Sequence, residues 1–286
     1  MSLLALALVL VAAVLHATWN LASKRAASGL PYVWVSGVLS TALWTPVIGA
    51  YWWWHPEPIT RLGLGFMVLS GVLHCGYSIY LQRAYRTGDF SLVYPLARGT
   101  GPLISALCAI AFLGERPSPL ALAGIALIVL SIFFLTGGTR LWDGHPHGTA
   151  VFNGVMCGLF IAAYTLADQR AVVYAAVSPL LIDWGGNVAR TLIFAPFALR
   201  RAGECRAVWR DHRLECWAVA VLGPAAYILV LSAMKLAPLS HVAPAREVSI
   251  LLGAYLGAKF LGEGDQRRRL LATLGMVAGV IALALG

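Results

Sequence analysis

Two arginines stand in segments that otherwise have the composition of a bilayer interior: Arg98 in YPLARGTGP and Arg246 in VAPAREVS, each shortly after a proline. An arginine at the centre of a membrane helix costs about 2.5–3.5 kcal/mol on insertion scales, so it faces a bundle interior or a watery cavity and takes a partner there. Pro95 and Pro244 each lack an N–H, which leaves the carbonyls of Ser91 and Ser240 without their usual helical donor. Two chemistries fit this pattern. In one, Arg98 and Arg246 meet a carboxylate, phosphate or other anionic group of a substrate. In the other they pair with Glu247, Asp183 or helix-end carbonyls and hold the chain together. A combination is also open: an Arg98–Glu247 pair that breaks as a path opens, with Glu247, Asp183, Pro95 and Pro244 as gating or coupling residues.

Helical spacing adds further polar and aromatic groups. His16, Trp19 and Asn20 recur at i, i+3 and i+4, His74, Tyr77 and Ser78 do the same, and Tyr94 shares the face of Arg98. Asn153, Cys157, Phe160, Tyr164 and Asp168 form another stripe, and Tyr227 lies in a later apolar segment. Gathered inward, His16, Trp19, Asn20, His74, Tyr77, Ser78, Tyr94, Arg98, Tyr164, Tyr227 and Arg246 would line a small-molecule site with aromatic walls and a few polar fixtures. The alternative for each is packing and hydrogen bonding between helices. Asp183, Asn187 and Arg190 recur at i, i+4 and i+7 and read either as a polar network inside the bundle or, for Asp183, as a proton-exchanging group.

The elements that position these groups follow from composition. Of 286 residues, 59% are hydrophobic and 12% charged, against about 45–50% and 25% in a soluble domain. The formal charge of +9 comes from short clusters between apolar runs, which argues against a nucleic-acid surface. The five cysteines include no CxxC pair, so neither a disulfide framework nor a metal site is expected. A crossing helix needs about 20 apolar residues. Candidate spans are 3–22, 33–54, 62–82, 91–113, 118–136, 149–167, 179–199, 217–236, 240–261 and 269–285. The first lacks the leading Lys or Arg of a secretory signal and reads as a span. Loops after odd spans, with their flanking span ends, carry fourteen Lys and Arg and those after even spans four, so both termini are expected on the non-cytoplasmic side. The tryptophans of YWWWHPEP then suit the interfacial belt.

The chain also echoes itself. AYRTGDFSLVYPLARGTG from Ala84 parallels AMKLAPLSHVAPAREVS from Ala233, each followed by an LGE ending in Glu115 or Glu263, and LASKRA from Leu21 parallels LADQRA from Leu166. Five spans per half make the second half inverted relative to the first. The expected fold is therefore an all-α integral membrane protein of ten transmembrane helices in two inverted five-helix repeats, residues 1–140 and 141–286, forming one membrane domain.

Ten spans in five-plus-five order, LHATWNLASKR at the end of span one, and LGE closing each fourth span resemble the drug/metabolite transporter superfamily, EamA-domain branch. The resemblance implies secondary transport of a small organic metabolite by alternating access in the inner (plasma) membrane. It implies amino-acid export first, of aromatic or bulky apolar amino acids in particular, and transport of a lipid-linked or nucleotide-activated sugar second. Many relatives place the N-terminus inside, opposite to the loop charges here. Spans three, four, eight and nine, with their prolines and glycines, are the expected moving parts. A reading from another class, an intramembrane enzyme, would use His16, His74, Asp183 and Glu247 as acids and bases and requires two of them within hydrogen-bond reach. No HExxH, GxSxG or Walker motif occurs, so no cofactor or ATP is expected. The expected partners are a substrate and membrane lipids, with no nucleic acid, around a monomer or homodimer.

Overall fold

A computed structural model describes residues 3–27, 29–56, 59–113, 118–136, 148–237, 242, 246–261 and 266–285. Pro244, Glu115, Glu263 and Ser240 lie outside these residues. The described residues are almost entirely helical, with eleven helices and no strand: α1 Leu3–Ala26, α2 Leu30–Trp54, α3 Arg61–Thr87, α4 Phe90–Leu113, α5 Pro119–Thr136, α6 Gly148–Val173, α7 Pro179–Leu199, α8 Ala202–Asp211, α9 Arg213–Leu236, α10 Val248–Leu261 and α11 Gln266–Leu285. α1, α2, α3, α6 and α9 are long and apolar enough to cross a membrane, and α5 and α10 are shorter apolar helices.

Local chemistry explains the helix starts. The Thr60 side chain accepts from Gly63 N–H at 3.0 Å and caps α3, Ser118 does the same for Ala121 at the head of α5, and prolines open α2 and α7. α3 ends under a cation: Lys24 of α1 donates to the carbonyls of Tyr85 at 2.6 Å and Gly88 at 2.7 Å, where the helix dipole favours positive charge. Arg269 of α11 grips the start of α4, donating to Ser91 Oγ and to Asp89 Oδ2 at 2.6 Å. The ten-residue α8 was not legible as a separate helix, because its five flanking and internal arginines give it the composition of a loop. It buries Cys205 and Val208, the latter with Tyr32 of α2 and Cys216 of α9.

Leu10, Val11 and Val14 of α1, Val68, Leu69 and Val72 of α3, and Phe133 and Phe134 of α5 are exposed. Apolar faces of this extent suit lipid rather than water. Trp53 and Trp54 at the end of α2 are exposed too, as in an aromatic belt. Inside, α1 packs on α9, α3 on α6 and α7, α2 on α7 and α9, α4 on α6 and α10, and α5 on α11. Small residues allow the closest approaches. A Cβ on Gly124 would stand 2.5 Å from Leu283 N, and one on Gly279 would stand 2.9 Å from Gly124 O, so α5 and α11 meet backbone to backbone.

Candidate functional site

α1, α2, α3, α6, α7 and α9 surround a cavity of about 110 Å³. It has room for several waters or a small metabolite. Its aromatic wall is a cluster of four rings. His74 and Tyr77 come from α3, Tyr164 from α6 and Tyr227 from α9. His74 stacks on Tyr164 with centroids 4.1 Å apart, and Tyr227 meets both rings edge-on at 5.8 and 5.7 Å. Tyr77 is edge-on to Tyr164 at 5.5 Å. On the α1 side Trp19 donates its indole N–H to His16 Nδ1 at 3.0 Å. Ser78 and Asp183 complete the anticipated residues on this wall.

Other anticipated residues stand elsewhere. Asn20 lies behind the wall, donating to the His16 carbonyl at 2.8 Å and accepting from Tyr85 Oη at 2.8 Å, so it fixes α1 to α3. Tyr94 is buried against Phe90, with centroids 5.1 Å apart, and against Gly253 of α10. Pro95 is buried within α4. Arg98 and Arg246 do not line the cavity. Arg98 Nε donates to Glu247 Oε2 at 3.2 Å and Arg246 Nε to Glu247 Oε1 at 3.3 Å. All three residues are buried, Glu247 completely. Glu247 immediately precedes α10, where the helix dipole adds to the stabilisation of its charge. The carboxylate thus bridges α4 and the α10 segment, and two cations share one anion. Of the helices expected to move, α3 and α9 line the cavity while α4 and α10 meet beside it at this triad.

Several lining groups escaped the sequence reading. Ser23, Tyr32, Ser36, Ser40, Ser70 and Gln82 line the cavity, but serines and a glutamine scattered through apolar runs carry no spacing that separates them from ordinary packing. Pro224 was overlooked inside α9. Without its N–H the Ala220 carbonyl lacks a helical donor, and the indole of Trp44 on α2 fills the vacancy at 3.1 Å. The i, i+4, i+7 pattern on α7 did mark a real cluster: Asn187 donates to Thr41 Oγ1 at 2.8 Å and to the Gly37 carbonyl at 3.1 Å, and accepts from Arg190 Nη2. Arg190 Nε is buried without a hydrogen-bond partner among the described residues. Asp183 makes no hydrogen bond or ion pair among those residues; it and Arg190 are only partly buried, two turns apart on one cavity-lining face. Of the four groups of the enzyme reading, His16, His74 and Asp183 line the cavity and Glu247 does not, and no two of them are hydrogen-bonded to each other among the described residues.

An all-helical bundle with lipid-facing apolar surfaces around an aromatic cavity with internal charge defines a multi-pass membrane protein with an internal cavity. Residues 3–137 match the EamA-like transporter family, which is consistent with an EamA-domain protein of the drug/metabolite transporter superfamily. Members of that family are transporters rather than enzymes. A crystal structure of a protein at 17% sequence identity has the same fold, with a TM-score of 0.59, over 98% of this chain and 97% of its own. No curated protein matches the sequence.

Proposed function

We propose that the protein is a secondary transporter that exports aromatic or bulky apolar amino acids by alternating access. The observation that carries the reading is the cavity: four stacked or edge-on rings, with Asp183 and Arg190 on one face of α7 and not paired to each other. An α-amino acid brings an ammonium for the carboxylate, a carboxylate for the guanidinium and an apolar side chain for the rings. Arg98 and Arg246 are already engaged with Glu247, which weighs against a phosphate grip there, and the cavity volume is small for a nucleotide-activated sugar.

Alternating access would rest on ten spans in two inverted repeats, 1–140 and 141–286. The packing supports this. Exchanging α1 with α6, α2 with α7, α3 with α9, α4 with α10 and α5 with α11 carries α1–α9 onto α3–α6, α2–α9 onto α3–α7, α1–α10 onto α4–α6 and α4–α5 onto α10–α11. It leaves α2–α7, α4–α10 and α5–α11 unchanged. The cavity draws on three of these five exchanged pairs.

Counterflow of labelled L-phenylalanine in proteoliposomes tests the reading. Exchange is expected with L-phenylalanine and other zwitterionic aromatic amino acids, and not with the N-acetyl or methyl-ester forms, which lack one of the two charges. Asp183→Asn and Arg190→Gln should each raise the half-saturating concentration about 10- to 100-fold, the range of a charged hydrogen bond worth about 1.5–3 kcal/mol. Exchange of nucleotide sugars but not amino acids would transfer the assignment to the alternative.

A further inference from the structure

Among the described residues, Asp168 of α6 is the one carboxylate beside the cavity wall that the transport reading leaves without a task. It is fully buried. Its Oδ2 accepts from Tyr227 Oη at 2.7 Å and from Ser70 Oγ at 3.1 Å. Its Oδ1 is buried and has no hydrogen-bond partner among the described residues. No ion pair reaches it among them. None of the charged or titratable groups around it is hydrogen-bonded to it as a cation among the described residues. From α3 come His74 and Tyr77, from α9 Tyr227, and from α7 Asp183 and Arg190, the latter tied to Asn187. From the α4 and α10 side come Arg98 and Arg246, both on Glu247. On α6 itself Tyr164 stacks on His74, Cys157 is buried, and Arg170 lies over the Tyr174 ring at 4.6 Å.

A buried carboxylate with one vacant oxygen and no cation favours the neutral acid, because desolvating an unpaired charge costs several kcal/mol, a cost that the two donated hydrogen bonds on Oδ2 offset in part. The two groups on its Oδ2, Ser70 and Tyr227, both belong to the cavity wall. Ser70 is in turn within 3.3 Å of His74 Nδ1, and that nitrogen lies 2.9 Å from the Ser70 carbonyl. A chain of hydroxyl and imidazole groups therefore connects a carboxyl sealed from solvent to the space a substrate occupies.

We infer that Asp168 is a proton-exchange site coupled to occupancy of the cavity. It holds a proton while the cavity is empty and releases it when a cationic group enters: the Ser70 hydroxyl turns from donating to Oδ2 to accepting the carboxyl proton and passes its own to His74 Nδ1. The step is a simple acid dissociation. The carboxyl O–H bond breaks, both electrons stay on oxygen, the proton passes to cavity water, and the arriving cation replaces it as counter-charge. Proton and substrate then occupy the cavity in turn, and a proton gradient can drive export. The cation is the same ammonium that meets Asp183 if the amino-acid reading holds, and the substrate arm of the test rests on that reading.

The proton site is measured first without substrate. Infrared difference spectra of the purified protein between low and high pH should contain the C=O band of a protonated carboxyl that disappears at high pH. The band should be lost in Asp168→Asn, retained in Asp183→Asn and shifted in Ser70→Ala, a variant that keeps the carboxyl and guards against misfolding as the cause. Absence of a band that depends on Asp168 overturns the proposal. L-Phenylalanine added to the wild type in weak buffer should remove the same band and release about one proton per molecule bound. Below the titration point its dissociation constant should fall about tenfold per pH unit as pH rises. Binding without proton release, or with a pH-independent constant, overturns the coupling. If L-phenylalanine fails to bind at all, the substrate assignment falls and the band of the empty protein decides the proton site alone.

Discussion

Charges inside this bundle divide into two kinds according to what each has nearby. Arg98, Glu247 and Arg246 form a closed group in which one carboxylate serves two guanidinium ions. Removing its centre leaves two buried cations side by side. Glu247→Gln is expected to destabilise the protein by about 3–5 kcal/mol, the usual cost of orphaning a buried partner, seen as a lower unfolding temperature in detergent. Replacing all three residues by apolar ones of similar volume should recover much of that loss. A neutral single variant would mean that the triad contributes little. Asp183 and Arg190 are the other kind, facing the cavity with capacity left over. Their variants should act on half-saturation more than on unfolding temperature. That contrast was invisible in the sequence, where Arg98 looked like the strongest ligand candidate and Arg190 like part of a structural network. Position along a helix ranks residues by depth, but which cation already has its anion depends on the neighbouring helix.

Helices in this protein are joined by small residues and by side chains that repair broken backbone ladders. α5 and α11 touch through Gly124 and Gly279, where a Cβ would press on partner backbone. Gly279→Leu should separate the pair and lower the unfolding temperature, since overpacking typically costs about 1–3 kcal/mol. Gly49→Leu on α2, with nothing within 4 Å of the added Cβ, should have little effect. Equal unfolding temperatures for the two variants would refute the backbone contact. Long apolar helices were readable with small boundary errors: 62–82 became Arg61–Thr87 and 149–167 became Gly148–Val173. Both grew beyond the apolar core because polar last turns continue the helix where hydropathy falls. α8 was missed for the related reason that a short basic helix has no apolar run to announce it.

At the scale of the whole molecule, loop charge predicts both termini on the non-cytoplasmic side. Alkaline phosphatase fused at the C-terminus should be active and a green fluorescent fusion there dark; the opposite result reverses the topology. The cavity ties the scales together. His74, Tyr164 and Tyr227 come from three helices far apart in the chain, yet their rings lie within 6 Å of one another. The sequence by itself determined that the chain is a helical membrane protein, because a hydrophobic content of 59% leaves no soluble alternative. Its internal echo marked Arg98 and Arg246 as counterparts, and its helical spacing marked His74, Tyr77 and Tyr164. Even the exchange of Ser23 for Asp168 between LASKRA and LADQRA was written there, without its meaning. Only the tertiary structure decided that Glu247 takes both arginines, that Asp183 and Arg190 keep the cavity, and that Asp168 stands behind Ser70 and Tyr227 with no cation. Periodicity assigns a residue to a face of its own helix. What lies opposite that face, a counter-charge or a ring or an open space, is set by how helices distant in the chain cross.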